Sequence, residues 1–377
     1  MRGLFPFRRS YQITFAGGIF SGITTFVFLA AGNSQANLLF FAFGLMVGAL
    51  LVSGLFSTMM LRGIDVEREV ADHAEVGQRV EVRYQLSNGN RRWPCFAVHV
   101  TEYAPKGVFA AAPHGYCLHL SARQSTTVRA HLVPAQRGRL RLQRAVVSCA
   151  FPFGLVRRVV QLERAADITV YPRVGALNRD LILRCRQAAG EGPIASQTRG
   201  GNDEFYGLRD YRAGDNVKAI HWRRTARTGQ LMVREMTHAA PPQMIVAIDL
   251  RGWKEIEGGM EVANRALELA AALVCHGIVE NYAIGLRIAG GQDISEPHMG
   301  RESRDRLLTA IAMVDLETLG DATSPPIGGQ SAAEWVVVTL RGENTAEDVV
   351  PPGATCTRLP MDHAAAGTWV VFPESRG

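Results

Sequence analysis

A chain of 377 residues, 47% hydrophobic and 20% charged, has room for two or three domains and is too apolar to remain disordered. Its formal net charge of +6 hides a division, because the part beyond residue 240 carries ten basic and nineteen acidic residues and the preceding part is strongly basic. Cys95, Cys117, Cys149, Cys185, Cys275 and Cys356 are scattered without a Cys-x-x-Cys pair, which argues against a zinc ribbon or a disulfide framework.

Residues 13–32 and 38–57 are two twenty-residue stretches without a charge. Each is long enough to cross a hydrocarbon core of about 30 Å at roughly 1.5 Å per residue. A cleaved leader is the competing reading of the first, with Arg8 and Arg9 as its charged start and Ser34-Gln35-Ala36 as a loose cleavage site. The second would still retain the chain, and the short 33–37 link favours a two-helix transmembrane anchor over residues 1–62. Arg2, Arg8 and Arg9 precede it, Arg62 and Arg68 follow it, and the link carries no cation. That bias predicts an inner (cytoplasmic) membrane protein with two spans and both termini and the soluble domains in the cytoplasm. Gly18-x-x-x-Gly22 and Gly44-x-x-x-Gly48 offer small faces for helix pairing. The basic region that follows would be drawn to anionic lipid at about 1 kcal/mol per residue near the surface.

Beyond Arg62 the pattern changes to apolar residues at every second position, in 80–86, 96–100 and 127–133, with a turn at Ser87-Asn88-Gly89-Asn90 between the first two. Several short strands between polar turns predict an all-β, Ig-like sandwich over 63–170. Phe151-Pro152-Phe153-Gly154-Leu155 reads there as a turn carrying two core phenylalanines. A connector with a short helix over 181–189 leads to a dense aromatic, glycine and charge cluster at 200–236, the two together spanning 171–240. Over 241–377, runs at 244–249, 282–288 and 335–340 alternate with helical spacing at 262–276 and 301–314, which predicts a parallel α/β sheet.

Within the cluster, Asp215 is placed to cap a helix over 216–227 that Gly229 ends, with a strand at 231–235. Arg209, Asp210, Tyr211, Arg212, His221, Trp222, Arg223 and Glu235 remain. They read either as a recognition surface, in which arginines grip acidic groups and Trp222 anchors, or as an internal ion-pair and aromatic cluster fastening the segment to the α/β domain. His221 reads as a hydrogen-bonded structural histidine. An alternative makes the chain a hydrolase-like enzyme using Asp210, Asp215, His221 or Glu235 as acid or base.

The run Gly207-Leu208-Arg209-Asp210-Tyr211, then Gly214-Asp215, Ile220-His221-Trp222-Arg223 and Ala226-Arg227-Thr228-Gly229, closely resembles the signature of the bacterial family called domain of unknown function 58, DUF58. Arg137-Gly138-Arg139 and the 151–155 run match further landmarks, with Ala150 where the family has Asp. The resemblance implies a von Willebrand factor A-like C-terminal domain. Such a domain would hold Mg²⁺ through Asp-x-Ser-x-Ser after its first strand, and here Asp249-Leu250-Arg251-Gly252-Trp253 keeps only the aspartate. Members of that family accompany MoxR-type AAA+ ATPases and transglutaminase-like membrane proteins, so the resemblance further implies a role in assembling or remodelling complexes, and the chain reads as a protein-interaction scaffold rather than an enzyme. No phosphate loop, dinucleotide fingerprint, zincin or hydrolase elbow occurs, and no cofactor is expected. Membrane tethering and interspersed acids weigh against nucleic acid as a partner.

Overall fold

The computed structural model describes residues 8–34, 36–103, 105, 107–188, 203–212, 215–238, 242–289, 294–319, 333–340, 349–361 and 369–372. Apart from residues 309–314, the chain divides into two compact units between Arg173 and Val174.

The first unit opens with a strand that the sequence did not announce. Strand β1 (Arg8–Ile13) runs straight into helix α1 (Phe15–Ser34), and helix α2 (Asn37–Met60) returns. Both helices are long and apolar enough to cross a membrane, and most of their surface is uncovered. Ser53, Ser57 and Met60 near the end of α2 are buried, because that end packs into the β-rich region that follows.

This region has strands β2 (Ile64–Val70), β3 (His73–Glu75), β4 (Val80–Asn88), β5 (Cys95–Tyr103), β6 (Phe109–Ala111), β7 (His114–Leu120), β8 (Ser125–Pro134), β9 (Gly138–Cys149) and β10 (Val156–Tyr171). One sheet runs β2-β4-β8-β6 and the other β1-β10-β9-β5-β7, with β3 alongside β10. Alternation does what the sequence implied: Val80, Val82, Tyr84, Leu86 and Asn88 point inward from β4, meeting Val98 and Val100 of β5 and Val147 of β9. The turn after Asn88 forms, with the Asn90 amide donating to Asn88 Oδ1 at 3.0 Å. It joins two sheets rather than two arms of a hairpin, since β4 pairs with β2 and β8 while β5 pairs with β7 and β9. The expectation of two core phenylalanines at 151–155 is half right. Phe151 stacks on Phe96 at 5.0 Å, whereas Phe153 is 56% exposed.

A buried ion pair lies in this core. Arg68 Nη1 is 2.5 Å from Glu102 Oε1, and the Tyr84 hydroxyl donates to the same oxygen at 2.9 Å. Arg68 also donates to the carbonyls of Leu142 and Arg164. Burial pushes the Glu102 carboxyl up, while Arg68 and Tyr84 pull it back.

The second unit holds β11 (Ala176–Leu177), α3 (Arg179–Ala188), β12 (Asp203–Asp210), α4 (Trp222–Thr228), β13 (Met232–His238), β14 (Gln243–Asp249), α5 (Gly259–Val279), β15 (Ala283–Ile288), β16 (Ile294–His298), α6 (Arg301–Ala312), β17 (Glu334–Thr339), β18 (Cys356–Pro360) and β19 (Val370–Val371). Its main sheet runs β16-β15-β14-β17-β18, parallel except for the edge strand β16. The architecture is therefore apolar N-terminal helices, a large β-rich region, and a mixed α/β region. Helix α5 is also apolar and long enough for a membrane, yet Val262, Ala266, Leu267, Ala270 and Val274 are buried within this unit. Gly277 permits the contact: a Cβ there would stand 2.4 Å from Met244 Cε.

Candidate functional site

The cluster singled out in the sequence folds as a small module on the antiparallel pair β12–β13. Its 211–231 connection carries a 3₁₀ turn at Val217–Ala219 and then α4. The single helix expected over 216–227 is broken at Ile220. That residue is extended, makes a β-bridge to Val233, and buries its side chain with it. The local logic follows, because a residue committed to a strand pair cannot continue a helix and the next one must start a new cap. His221 does so, with Nδ1 accepting from the Arg224 amide at 3.2 Å. Gly229 ends α4 in the left-handed conformation at φ 72°, as the sequence indicated.

Asp215 was expected to cap the helix and instead grips the strand end. Arg209 Nη1 and Nη2 meet its two carboxylate oxygens at 2.6 and 2.7 Å, and the Arg212 amide donates to Oδ2 at 2.8 Å. These donors, Arg209 first, draw the Asp215 carboxyl down to about 2. Asn216 caps the 3₁₀ turn in its place. Further bonds close the loop: the Tyr211 amide to Leu231 O, the His221 amide to Met232 O, and the Met232 amide to Thr225 Oγ1.

Two populations of side chain result. Arg209, Asp215, Ile220, His221, Thr225 and Val233 hold the module together. Trp222 is 59% exposed, and Arg223, Ala226 and Arg227 are exposed with it on α4, as is Asp210 at the strand end. Leu208 and Tyr211 are half-buried, and Gly207 lies opposite Glu235 across the pair. Gly214 and the Glu235 side chain lie outside the described residues. Lys218, Arg224, Val217 and Leu231, which are absent from the candidate residues the sequence suggested, are all exposed on the same connection. Cationic spacing at 223, 224 and 227 was the available signal for Arg224. The hydrogen bonds described for Arg209, Asp215 and Thr225 run to partners within 209–232.

At the end of β14, Asp249 and its register partner Thr339 on β17 are both buried. This is where chain connections diverge, from β14 through α5 to β15 on one side and into β17 on the other, the position at which open α/β sheets form crevices. Arg251 fills it: Nε donates to Asp249 Oδ1 at 2.9 Å, Nη2 to Oδ2 at 2.8 Å, and the Arg251 amide to Oδ1 at 3.1 Å. Trp253 turns its indole N–H to Leu316 O at 3.0 Å. A hard divalent cation needs several free oxygens, and this donor set, with a guanidinium on both carboxylate oxygens, does not fit one. Among the described residues no group of three or more His, Cys, Asp or Glu could hold a metal ion.

No curated protein matches the chain. Among solved structures, Spo0M, the sporulation control protein from Bacillus subtilis, is similar at 9% identity and a TM-score of 0.18; the match covers 40% of this chain. The chain spans only 58% of that structure, and so loose a match carries no conclusion. The family model described as "Protein of unknown function DUF58" matches residues 207–334, a stretch that begins in β12 at Gly207, takes in the Arg209–Asp215 clasp and the Asp249–Arg251 pair, and ends in β17. Over these residues, about a third of its length, the chain matches the DUF58 family.

Proposed function

We propose that this protein is a membrane-anchored cytoplasmic scaffold, and that the 203–238 module is its docking element. The observation that carries the reading is the division within the module, where an internal clasp leaves Trp222 outward beside Arg223, Arg224 and Arg227. Exposed tryptophan next to arginine is the composition of interface anchors, and the cations favour an acidic partner surface.

In this reading α1 and α2 cross the inner membrane as a hairpin. Pairing of β1, before the hairpin, with β10, after it, supports a common side for both ends, and the flanking arginines favour the cytoplasm. The β-rich unit is then an Ig-like sandwich serving as a stalk. The α/β unit is of the von Willebrand factor A type, a reading supported by its parallel sheet with one antiparallel edge strand. The partner suggested by the family resemblance is a MoxR-type AAA+ ATPase, with a transglutaminase-like membrane protein in the same assembly.

The test is co-purification from membranes of the full chain with the MoxR-type ATPase of the same cell, comparing wild type with Trp222→Ala and Arg223→Ala. Loss of the ATPase from both variants at unchanged thermal stability is the expected result. Equal recovery from all three, or no recovery from wild type, would sink the docking role.

A further inference from the structure

The Phe151 to Leu155 turn sits where the hairpin meets the β-rich region, bonded to the residue that caps α1 and followed by one bonded to α2. Thr14, whose hydroxyl oxygen accepts from the Gly17 amide to cap α1, donates that hydroxyl to Gly154 O at 2.6 Å. The Thr14 amide donates to Leu155 O at 3.1 Å. A Cβ at Gly17 would lie 2.0 Å from Leu155 O, so the first turn of α1 rests directly on this backbone. On the other side, the Val156 amide donates to Ser53 Oγ of α2 at 3.3 Å. The turn is thus held at the level of Ile13, Phe15 and Ser53.

Two phenylalanines from different parts of the chain face outward at that level. Phe153 is 56% exposed and Phe15 is 87% exposed. Leu155 is buried, so the turn is firmly seated while Phe153 projects from it. Residues just beyond this level have a different chemistry. Arg157 is exposed and pairs in register with Gln12; Tyr11 is exposed, donates or accepts at Thr58 Oγ1 at 3.0 Å, and carries the Arg158 guanidinium over its ring at 4.2 Å. Trp93 packs edge-on against Phe56 of α2 and follows the exposed Arg91 and Arg92. Phe56 is three residues past Ser53, about 4.5 Å further along the helix.

We infer that the 151–155 turn is a third membrane contact, in which Phe153 enters the acyl boundary beside α1 while Arg157, Arg91 and Arg92 meet the phosphates of anionic lipids. This inference rests on the reading of α1 and α2 as membrane spans. An apolar ring at the hydrocarbon edge, with tyrosine, tryptophan and arginine one step outward, matches the layering of a bilayer interface. A protein partner would have no reason to follow the depth at which α1 begins. Contact here would add a third point, beside the two helices, that sets the tilt of the β-rich unit against the bilayer.

The test uses the full chain in vesicles of three parts phosphatidylcholine to one part phosphatidylglycerol, with dansylalanine placed by suppression at position 153, 15 or 217. Spin labels are carried on the lipid at the shallow acyl position, and iodide serves as the aqueous quencher. The expected result is that 153 and 15 show blue-shifted emission quenched by lipid spin label and shielded from iodide, with 217 the reverse. Quenching at 15 but only iodide access at 153 would overturn the inference and leave the spans standing. Iodide access at both would remove the spans and the inference together. Phe153→Asp gives a second readout free of the probe: a loss of bilayer-dependent amide protection at 151–155 is expected, and unchanged protection would count against the contact.

Discussion

Arg209 and Asp215 form a two-pronged ion pair, 2.6 and 2.7 Å between partners, that joins the end of β12 to the start of the loop it must enclose. Such fork-to-fork geometry is directional as well as attractive, so it sets the loop's path. Asp215→Asn keeps the size and removes the charge. Amide exchange at Arg212, Tyr211 and His221 is expected to quicken in that variant while exchange in β14 and α5 stays unchanged. The folded-state carboxyl lies below its ordinary value, so the clasp is complete above about pH 4 and is lost as pH falls toward about 2. Exchange measured between those limits should show wild type converging on the variant.

Trp222 and Ile220 stand two residues apart and should behave oppositely. Trp222→Ala removes an exposed ring and should change stability by no more than about 0.5 kcal/mol. Ile220→Ala empties part of the module's only described interior and should cost about 2 kcal/mol or more, read as local opening of β12 and β13 by exchange. Equal destabilisation by the two would mean that Trp222 is structural.

The Arg68–Glu102–Tyr84 group should be costly to break from one side. Arg68→Met leaves a buried carboxylate without its cation and is expected to destabilise the β-rich unit by about 3–5 kcal/mol. Tyr84→Phe removes one donor and should cost about 1–2 kcal/mol. Denaturant unfolding in detergent, with Arg68→Met/Glu102→Leu added, reports the coupling. The double variant should be more stable than Arg68→Met alone, because the stranded charge is gone.

Arg251 is the counter-ion of Asp249. Arg251→Ala should lower stability by about 2–3 kcal/mol, below the ~3–5 kcal/mol of a fully buried pair because the guanidinium keeps some solvent contact. Magnesium or EDTA should leave the Tm of wild type unmoved. A metal-dependent shift in wild type would show that the guanidinium yields its place.

His99 and His114 lie 3.3 Å apart, Nδ1 to Nε2, on the outer face of the sheet containing β5 and β7, with Arg157 as a further cation. Burial first, then His114 and Arg157, hold His99 below its usual range. A lowered folded-state value means that stability is fully present above about pH 6.5 and falls as pH drops below it. Urea midpoints at pH 7.5 and 5.5 should therefore differ more for wild type than for His99→Phe.

Period-2 and buried-strand patterns made β4, β5, β8, β14, β15 and β17 legible, because burial on one face or two is written into every residue of a strand. Partner choice was not, since the turn after Asn88 reads the same whether the chain continues in one sheet or crosses to the other. β1 was hidden by its length and by the apolar stretch it abuts. In the candidate module, Gly229 and the final strand were readable from local chemistry. The break at Ile220 was not, because it depends on Val233, thirteen residues away, and neither was the partner of Asp215. Exposure of Phe153 lay equally beyond the sequence, where one phenylalanine of a Phe-Pro-Phe run looks like the other.

The antiparallel pairing of β1 with β10 also imposes an order on synthesis. Residues 8–13 leave the ribosome first, yet their partner begins at Val156, and the intervening chain takes roughly 7–30 s to make at usual elongation rates. Through that interval α1 and α2 must find their place while β1 has no sheet to join. The β1–β10 pairing therefore forms only after the hairpin and β9 have been made. On the proposed reading of α1 and α2 as spans, a chain in which only one of the two crossed would put β1 and β10 on opposite sides and leave the edge of β10 open to aggregation. On that reading, insertion of both helices and a closed sheet are read out by the same pair of strands.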